Sequence, residues 1–182
     1  MIRSREDFKF YLEKDRIALN KTRKYPFPFI GDEVWKFQRL MRKIEYIKNC
    51  KGNLYKPYFY FLMVRYRRLS IKLGFTIPIN CFGYGLSIAH YGTIVINPKV
   101  KIGNYCRIHT STNIGGTGDA VPKIGDRVYI GPGAKLFGNI EIADGIKIGA
   151  NSVVNKSFLE PNVTIVGAPA KVIEKKSKQK AL

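Results

Sequence analysis

The sequence predicts a parallel β-solenoid in its C-terminal half, preceded by a helical region. An aliphatic residue recurs at every sixth position, a step that neither an α-helix nor an ordinary strand produces. The members of this row are Ile96, Ile102, Ile108, Ile114, Ile124, Ile130, Leu136, Ile142, Ile148 and Val154. A six-residue step is typical of a solenoid whose coils have flat faces, each face using one hexapeptide.

A second row of side chains supports the same register. Four residues after the aliphatic positions stand mostly small or β-branched residues, which suit the interior of a narrow coil. They are Val100, Cys106, Thr112, Val128, Ala134, Ile140, Ile146 and Ser152. Short sandwich strands are the alternative, but their turns would not keep a six-residue step through so many repeats.

The first 74 residues are predicted to be α-helical. Ser4 and Asp7 have capping-box spacing, and Asp32 is placed to cap a second helix. Pro57 suits the first turn of a third helix, and Gly74 suits its end. We therefore divide the chain into a helical region (1–74), a solenoid (75–173) and a basic tail predicted to be disordered (174–182).

The six-residue step is interrupted once, between Ile114 and Ile124. Ten residues stand where six are expected, so four residues should leave the coil as a loop. Loops that project from a rigid scaffold commonly carry function.

The net charge of +19 is concentrated in the helical region, with 19 Lys and Arg against 7 Asp and Glu before residue 75. Such a charge favours polyanions, anionic membrane surfaces or phosphorylated cofactors, and it equally fits a solvated helical surface. The longest apolar run is too short to span a bilayer, and no signal-peptide core is present. The three cysteines have no paired spacing, so we expect reduced thiols in a cytoplasmic protein.

Five ordered motifs cover nearly all of residues 75–173. They are Gly85-Leu-Ser-Ile-Ala-His-Tyr-Gly-Thr-Ile-Val95, Ile114-Gly-Gly-Thr-Gly118, Ile130-Gly-Pro-Gly-Ala-Lys-Leu-Phe-Gly-Asn139, Ile148-Gly-Ala-Asn-Ser-Val-Val154 and Val166-Gly-Ala-Pro-Ala-Lys171. Together they resemble the serine O-acetyltransferase branch of the hexapeptide-repeat acyltransferases. The helical region resembles that of related proteins associated with bacterial surface-polysaccharide synthesis. The resemblance implies an all-β left-handed parallel β-helix with an α-helical N-terminal region, usually a homotrimer, with acetyl-CoA in a groove between subunits.

The resemblance places the catalytic general base at His90. An imidazole titrates near neutral pH and can take the proton of a hydroxyl as that hydroxyl attacks a thioester. A uniform step places His90 in phase with the aliphatic row, so that a coil of three hexapeptides would put position 108 directly above it. His109, Asn113 and Tyr91 are candidate acceptor-site residues, and His109 could equally fill a corner of the coil.

The resemblance also implies a set of cofactor-binding residues and no metal. A glycine-containing loop, small groove positions and a basic end would hold the pantetheine arm and the phosphates of acetyl-CoA. These residues are Gly116, Thr117, Pro132, Ala134, Lys147, Ala150 and Lys171.

Several positions depart from the family pattern. Phe75 stands where an aspartate orients the base, Ala89 replaces the acid beside the histidine, and Ala120 and Val121 replace an Arg-His pair that serves serine. No Asp or Glu occurs from residue 70 to 118, so a backbone carbonyl, an amide such as Asn80 or Asn113, or a group from elsewhere must orient His90.

From these departures we expect the acceptor to be a sugar hydroxyl of a capsule or O-antigen polysaccharide or its precursor. Serine O-acetyltransferase itself is the alternative. A β-helical zinc carbonic anhydrase would need three histidine ligands, and the chain has two. A basic nucleic-acid module is a weaker alternative, because no recognised motif supports it. The helices also suit peripheral contact with an anionic membrane and a higher assembly of trimers.

Overall fold

The computed structural model describes residues 1–173, and the predicted disorder of 174–182 lies outside this range. The helical region contains α1 (Arg5–Ala18), α2 (Glu33–Cys50), a short 3₁₀ helix (Asn53–Tyr55) and α3 (Lys56–Leu73). The Ser4 side chain caps α1 by accepting a hydrogen bond from the Asp7 amide at 3.0 Å. No helix within residues 1–173 is long and apolar enough to cross a bilayer.

Short strands then build the three faces of a parallel β-solenoid. In chain order they are β1 (Phe75–Thr76), β2 (Ser87–Ile88), β3 (Ile94–Ile96), β4 (Lys101–Ile102), β5 (Arg107–Ile108), β6 (Thr112–Gly115), β7 (Lys123–Ile124), β8 (Tyr129–Ile130), β9 (Lys135–Phe137), β10 (Glu141–Ile142), β11 (Lys147–Ile148), β12 (Val153–Val154), β13 (Thr164–Val166) and β14 (Lys171–Ile173). Face A has the order β1-β3-β6-β9-β12, face B β4-β7-β10, and face C β2-β5-β8-β11-β13-β14. All neighbouring strands are parallel except β13 and β14.

Both predicted rows point into the interior of the coil. Every residue of the aliphatic row and of the second row is at most 5 % exposed. Burying each of the larger aliphatic side chains contributes ~1.5–3 kcal/mol relative to exposure. The hexapeptide period is therefore the hydrophobic core of the solenoid, as predicted.

The coils differ in length, which corrects the predicted position of His90. Ile88 pairs with Ile108, so the first complete coil of face C takes 20 residues rather than 18. The two extra residues lie at the corner after β2. Ile88 stands six residues before Ile94, whereas its partner Ile108 stands only four residues before Thr112, the partner of Ile94. Position 108 therefore stands against Ile88 and not against residue 90, and His90 lies outside the aliphatic row. The next coil, from Ile108 to Ile130, takes 22 residues because it contains the predicted loop.

A buried ionic network joins the helices to the first coil. The guanidinium of Arg42 (α2) donates to Asp15 of α1 at 2.8 Å and to Glu45 at 3.0 Å. It also donates to the carbonyls of Phe82 and Gly83 in the solenoid. Burial alone would lower the pKa of Arg42, but the two carboxylates outweigh it and raise this pKa. The helical region is thus fixed to the solenoid by fully partnered charges.

The three cysteines are free thiols in this structure. Cys81 and Cys106 are buried in the solenoid, and Cys50 is partly buried at the end of α2. Burial raises the pKa of Cys81 to about 12, so this thiol stays protonated at neutral pH.

Candidate active site

His90 lies two residues after β2, at the corner where face C turns into face A. Its side chain is exposed, and it makes no hydrogen bond with any group of residues 1–173. Tyr91, the next residue, is 72 % exposed. The two extra residues of this corner thus present His90 to solvent instead of burying it.

The corners of successive coils stack into one edge of the solenoid, which we call the C/A edge. It comprises residues 89–93, 109–111, 131–134 and 149–152. Backbone bonds hold the levels together: the Ala89 amide donates to Ile108 at 3.0 Å, and the His109 amide donates to Ile130 at 3.1 Å. The C/A edge therefore brings His90, Tyr91 and His109 together.

His109 is the more buried of the two histidines. Its ring centroid lies 6.2 Å from that of His90 and 5.1 Å from that of Tyr129. The Nε2 atom is buried and has no hydrogen-bond partner among residues 1–173. Burial lowers the pKa of His109, with smaller contributions from Arg107 and His90. The neutral imidazole is therefore favoured at this position.

The predicted small groove positions divide into two kinds. Pro132 and Ala150 are exposed on the C/A edge, below His90 and His109. Ala134 is 0 % exposed, because it belongs to the inward second row. Its amide and carbonyl are both engaged by the backbone, with Gly131 and Asn113. The prediction that Ala134 lines a cofactor groove is therefore corrected: its side chain fills the coil.

The remaining predicted residues lie away from this edge. Gly116 and Thr117 are exposed in the loop at the corner between faces A and B. Asn113 projects from β6 on face A, with Val95 and Lys135 as its strand partners. The exposed residues Lys147 and Lys171 stand on β11 and β14 of face C.

The loop at residues 115–121 is a compact turn. The Ala120 amide donates to the Thr117 carbonyl at 3.0 Å, and a Cβ on Gly116 would collide with the Ala120 carbonyl. Lys99 anchors the loop from outside by an exposed ion pair with Asp119 at 2.7 Å. Glycine at position 116 is therefore a requirement of this turn.

His90 faces a cleft of about 270 Å³ that the helical region helps to form. The residues that line it are Leu19, Lys21, Asp32, Glu33, Val34, Trp35, Ile88, Ala89, His90 and Tyr91. Those before residue 36 were not among the predicted site residues. No local signal marks them, because they lie more than 50 residues from His90 in sequence.

Asp32 stabilises one wall of this cleft. Its carboxylate accepts hydrogen bonds from Lys21 at 2.6 Å, from Arg23 at 2.8 Å and from the Phe27 amide at 3.0 Å. The bond from Lys21, followed by that from the Phe27 amide, lowers the pKa of Asp32. The predicted helix-capping role is corrected, since Asp32 makes no side-chain cap bond to α2.

Trp35 supplies a polar group that residues 1–173 leave without a hydrogen bond. Its side chain is 1 % exposed, yet the indole Nε1 finds no hydrogen-bond partner among residues 1–173. The Lys21 ammonium lies 5.9 Å from the centre of the indole ring. Buried donors are almost always bonded, so this N–H stands out as a donor beside the cleft without an acceptor among these residues.

The amides suggested to orient His90 do not contact it. Asn80 is bonded to Asn49 at 2.9 Å and to Glu45 at 2.7 Å. Asp32 and Glu33 are the acidic residues of the cleft, and neither bonds to His90. Within residues 1–173, no three His, Cys, Asp or Glu side chains are grouped as a metal site requires.

The repeats match a known family. A model of the bacterial transferase hexapeptide (six repeats) matches residues 122–156. These residues include Pro132 and Ala150 of the C/A edge and six members of the aliphatic row, from Ile124 to Val154.

Residues 122–156 are thus similar to known hexapeptide repeats.

The fold of the chain is the left-handed parallel β-helix of the hexapeptide-repeat transferases, with helices at the N-terminal end, as predicted. Serine acetyltransferase from Buchnera aphidicola (subsp. Schizaphis graminum) is 44 % identical over 103 residues, which are 54 % of this chain and 39 % of that protein. The chain spans 39–43 % of the length of the first curated relatives that it matches.

Solved structures of serine acetyltransferases have the same fold over most of this chain. The Neisseria gonorrhoeae enzyme in complex with serine gives a TM-score of 0.72 at 29 % identity, covering 94 % of this chain and 71 % of that one. A serine acetyltransferase in complex with CoA gives 0.71 at 25 % identity, covering 93 % and 71 %.

These similarities correct the predicted acceptor. The relatives and the structural neighbours are serine acetyltransferases, and none of those above acts by its name on a capsule or O-antigen saccharide. The saccharide prediction was wrong because it rested on side chains that are absent from the solenoid. It took no account of the cleft wall that Lys21, Asp32, Glu33 and Trp35 build from the helical region.

Proposed function

We propose that this protein transfers the acetyl group of acetyl-CoA to the side-chain hydroxyl of L-serine, with His90 as general base. The observation that carries the proposal is the position of His90. It is an exposed imidazole at the edge of a hexapeptide-repeat solenoid, facing a cleft and making no hydrogen bond to the part of the chain that the structure describes. The similarity to serine acetyltransferases, among them complexes with serine and with CoA, supplies the substrates.

The chemistry needs a base because a hydroxyl is a poor nucleophile. His90 takes the hydroxyl proton while the oxygen attacks the carbonyl carbon of the thioester. The carbon–sulfur bond then breaks, and the proton returns from His90 to the departing sulfur. A backbone N–H is the expected donor to the oxygen that becomes negative.

The cleft offers a partner for each polar group of serine. The hydroxyl would face His90, and the carboxylate would face the Lys21 ammonium and the unpartnered Trp35 N–H. The Glu33 carboxylate would accept a hydrogen bond from the ammonium of serine. It lies 4.0 Å from the Lys36 ammonium in the structure. A cleft of about 270 Å³ lies just below the ~300–1,000 Å³ typical of drug-sized ligands, which favours a small acceptor.

The acetyl-CoA site would lie along the C/A edge below the histidines. The exposed residues Pro132 and Ala150 leave room there for a thin pantetheine arm, and Lys147 and Lys171 place cations on the adjoining face for the phosphates. The loop with Gly116 and Thr117 stands at a different corner of the same chain. A homotrimer would bring the loop of one subunit against the C/A edge of the next.

A direct assay tests this proposal. The full chain is incubated with acetyl-CoA and L-serine, thiol release is followed, and O-acetylserine is identified by mass spectrometry. Serine methyl ester and N-acetylserine serve as matched acceptors that lack the carboxylate or the ammonium. Serine-dependent release and O-acetylserine formation are expected. Thiol release that does not depend on serine, or its absence at millimolar serine, would refute serine as the acceptor.

A further inference from the structure

The first coil of face C has an open side, because no coil precedes it. On the other side, the amides of Ser87 and Ala89 donate to Cys106 at 2.9 Å and Ile108 at 3.0 Å in the coil below. Along a strand these directions alternate, so the amides of Leu86 and Ile88 point to the open side. Unpaired backbone groups buried there would be costly.

Two side chains of the helical region take the place of the missing strand. Gln38 of α2 donates to the Leu86 carbonyl at 2.8 Å and accepts from the Ile88 amide at 3.2 Å. Asp15 of α1 accepts from the Leu86 amide at 2.9 Å. The carboxamide of Gln38 thus presents one acceptor and one donor, as a peptide group of a neighbouring strand would, and Gln38 is 0 % exposed.

The backbone that Gln38 holds lies directly before His90. Ile88 is two residues before His90, whose side chain has no hydrogen bond of its own within residues 1–173. The position of the imidazole is therefore set by the backbone that leads to it. The upper side of that backbone is held by Gln38 and the lower side by the ladder to Ile108. On α2, Gln38 lies three residues after Trp35, so one helix supports both the base and the opposite wall of the cleft.

We propose that Gln38 is a positioning residue for His90: its side-chain amide fixes the strand end that carries the general base against the cleft. This inference rests on the proposed function for its kinetic consequences. A displacement of about 1 Å at a reacting group can cost ~10²-fold in rate. Gln38 does not line the cleft or the C/A edge, so binding of acetyl-CoA does not depend on it directly.

The test compares Gln38→Leu with a matched control, Asn49→Leu. Asn49 also joins α2 to the first coil, through its bonds with Asn80 at 2.9 and 3.1 Å, but at the corner between faces A and B. We expect Gln38→Leu to lower kcat by ~10²-fold with an unchanged acetyl-CoA KM, and Asn49→Leu to leave kcat within about threefold. Both variants are assayed well below their unfolding temperatures. Equal effects of the two variants on kcat would overturn the assignment.

Gln38→Glu adds a pH readout that general loss of stability would not produce. The new carboxyl group can accept a hydrogen bond from the Ile88 amide whether it is protonated or ionised. It can donate a hydrogen bond to the Leu86 carbonyl only when it is protonated. Burial raises the pKa of such a group, so the ratio of variant to wild-type kcat should increase as the pH is lowered. A ratio that stays constant with pH contradicts the proposal. This variant also keeps the test decisive if Gln38→Leu does not fold.

Two spectroscopic readouts separate this inference from the proposed function. Hydrogen exchange of the Ile88 amide and the imidazole resonances of His90 do not need turnover. We expect Gln38→Leu to accelerate exchange at Ile88 at least 10-fold and to shift or broaden the His90 signals, whereas Asn49→Leu changes neither. Unchanged signals would overturn the positioning role even in an active enzyme. If wild type transfers no acetyl group while these shifts occur, the proposed function fails and the positioning role stands.

Discussion

The imidazole rings of His90 and His109 are 6.2 Å apart between centroids and inclined at 55°. They occupy neighbouring levels of the C/A edge, but only His90 is exposed. His109 is partly buried and has an unpartnered Nε2 atom. The two rings therefore differ in how accessible they are to a substrate.

Replacing His90 by Asn should abolish most of the proposed activity. General-base catalysis supplies ~10²–10⁴-fold, and the asparagine side chain cannot take the hydroxyl proton. Because the His90 side chain is exposed and makes no hydrogen bond to the described residues, the unfolding temperature should stay within about 1 °C. Steady-state kinetics and thermal unfolding check the two parts. The companion variant His109→Asn should mainly raise the serine KM, and near-normal kcat in His90→Asn would remove the base assignment.

His109 should make the folded state less stable in acid. Its pKa is lowered in the folded protein, chiefly by burial, from an unfolded value of 6.5. Below pH 6.5 the unfolded state therefore binds more protons, and stability falls as the pH drops through the lowered native pKa. Urea unfolding at pH 7.5 and 5.0 should show a smaller acid loss in His109→Gln than in wild type. An equal loss in both proteins would exclude His109 as its source.

Trp35→Phe tests the unpartnered indole N–H. The substitution keeps an aromatic ring in the cleft and removes the donor, which bonds to nothing within residues 1–173. A hydrogen bond to a charged group contributes ~1.5–3 kcal/mol, so the serine KM should rise about 10- to 100-fold. The KM of serine methyl ester, which lacks the carboxylate, should change much less. Equal changes for the two acceptors would place the carboxylate elsewhere.

Ala150→Phe tests the proposed pantetheine groove. The exposed position on the C/A edge tolerates bulk in the isolated fold, so stability should change by less than about 0.5 kcal/mol. The acetyl-CoA KM should rise at least 10-fold, while Ala150→Ser, which is nearly the same size as wild type, should leave it unchanged. Initial rates at varied acetyl-CoA measure both. An unaltered KM in Ala150→Phe would move the groove away from this edge.

Arg42→Met should destabilise the junction between helices and solenoid. The variant leaves the carboxylates of Asp15 and Glu45 buried without their cation. Removing one partner of a buried ion pair lowers the free energy of unfolding by ~3–5 kcal/mol. Lys99→Met removes the exposed pair with Asp119 and should cost no more than about 1 kcal/mol. Urea unfolding gives both free energies. Similar values for the two variants would mean that the buried network does not hold the helical region in place.

The solenoid could be predicted because its core residues recur at fixed intervals in the sequence. Inward residues such as Ile102 and Val100 recur every six positions, and this periodicity needs no knowledge of long-range contacts. The irregular corner after Ile88 was missed for the same reason. Ile94 is six residues after Ile88, Ile96 is six residues before Ile102, and both are buried. The two added residues that expose His90 therefore leave no visible gap in the aliphatic pattern.

The opposite wall of the cleft could not be predicted. Lys21 and Trp35 meet His90 only because Gln38 and Arg42 seat α2 on the first coil. Nothing in the spacing of the helical residues specifies that contact. The acceptor was misjudged for this reason: the residues absent from the solenoid were visible in the sequence, and the cleft wall that the helical region forms was not.

The antiparallel pairing of β14 with β13 has a consequence for behaviour at high concentration. Elsewhere on face C each coil offers its neighbour a parallel edge, and a second molecule could add to an edge of that kind. β14 instead runs against its neighbour, is three residues long and begins with the exposed Lys171. Short, charged edges discourage the growth of sheets between molecules. The short edge at this end of face C, with its charged first residue, therefore disfavours end-to-end joining of molecules into fibres.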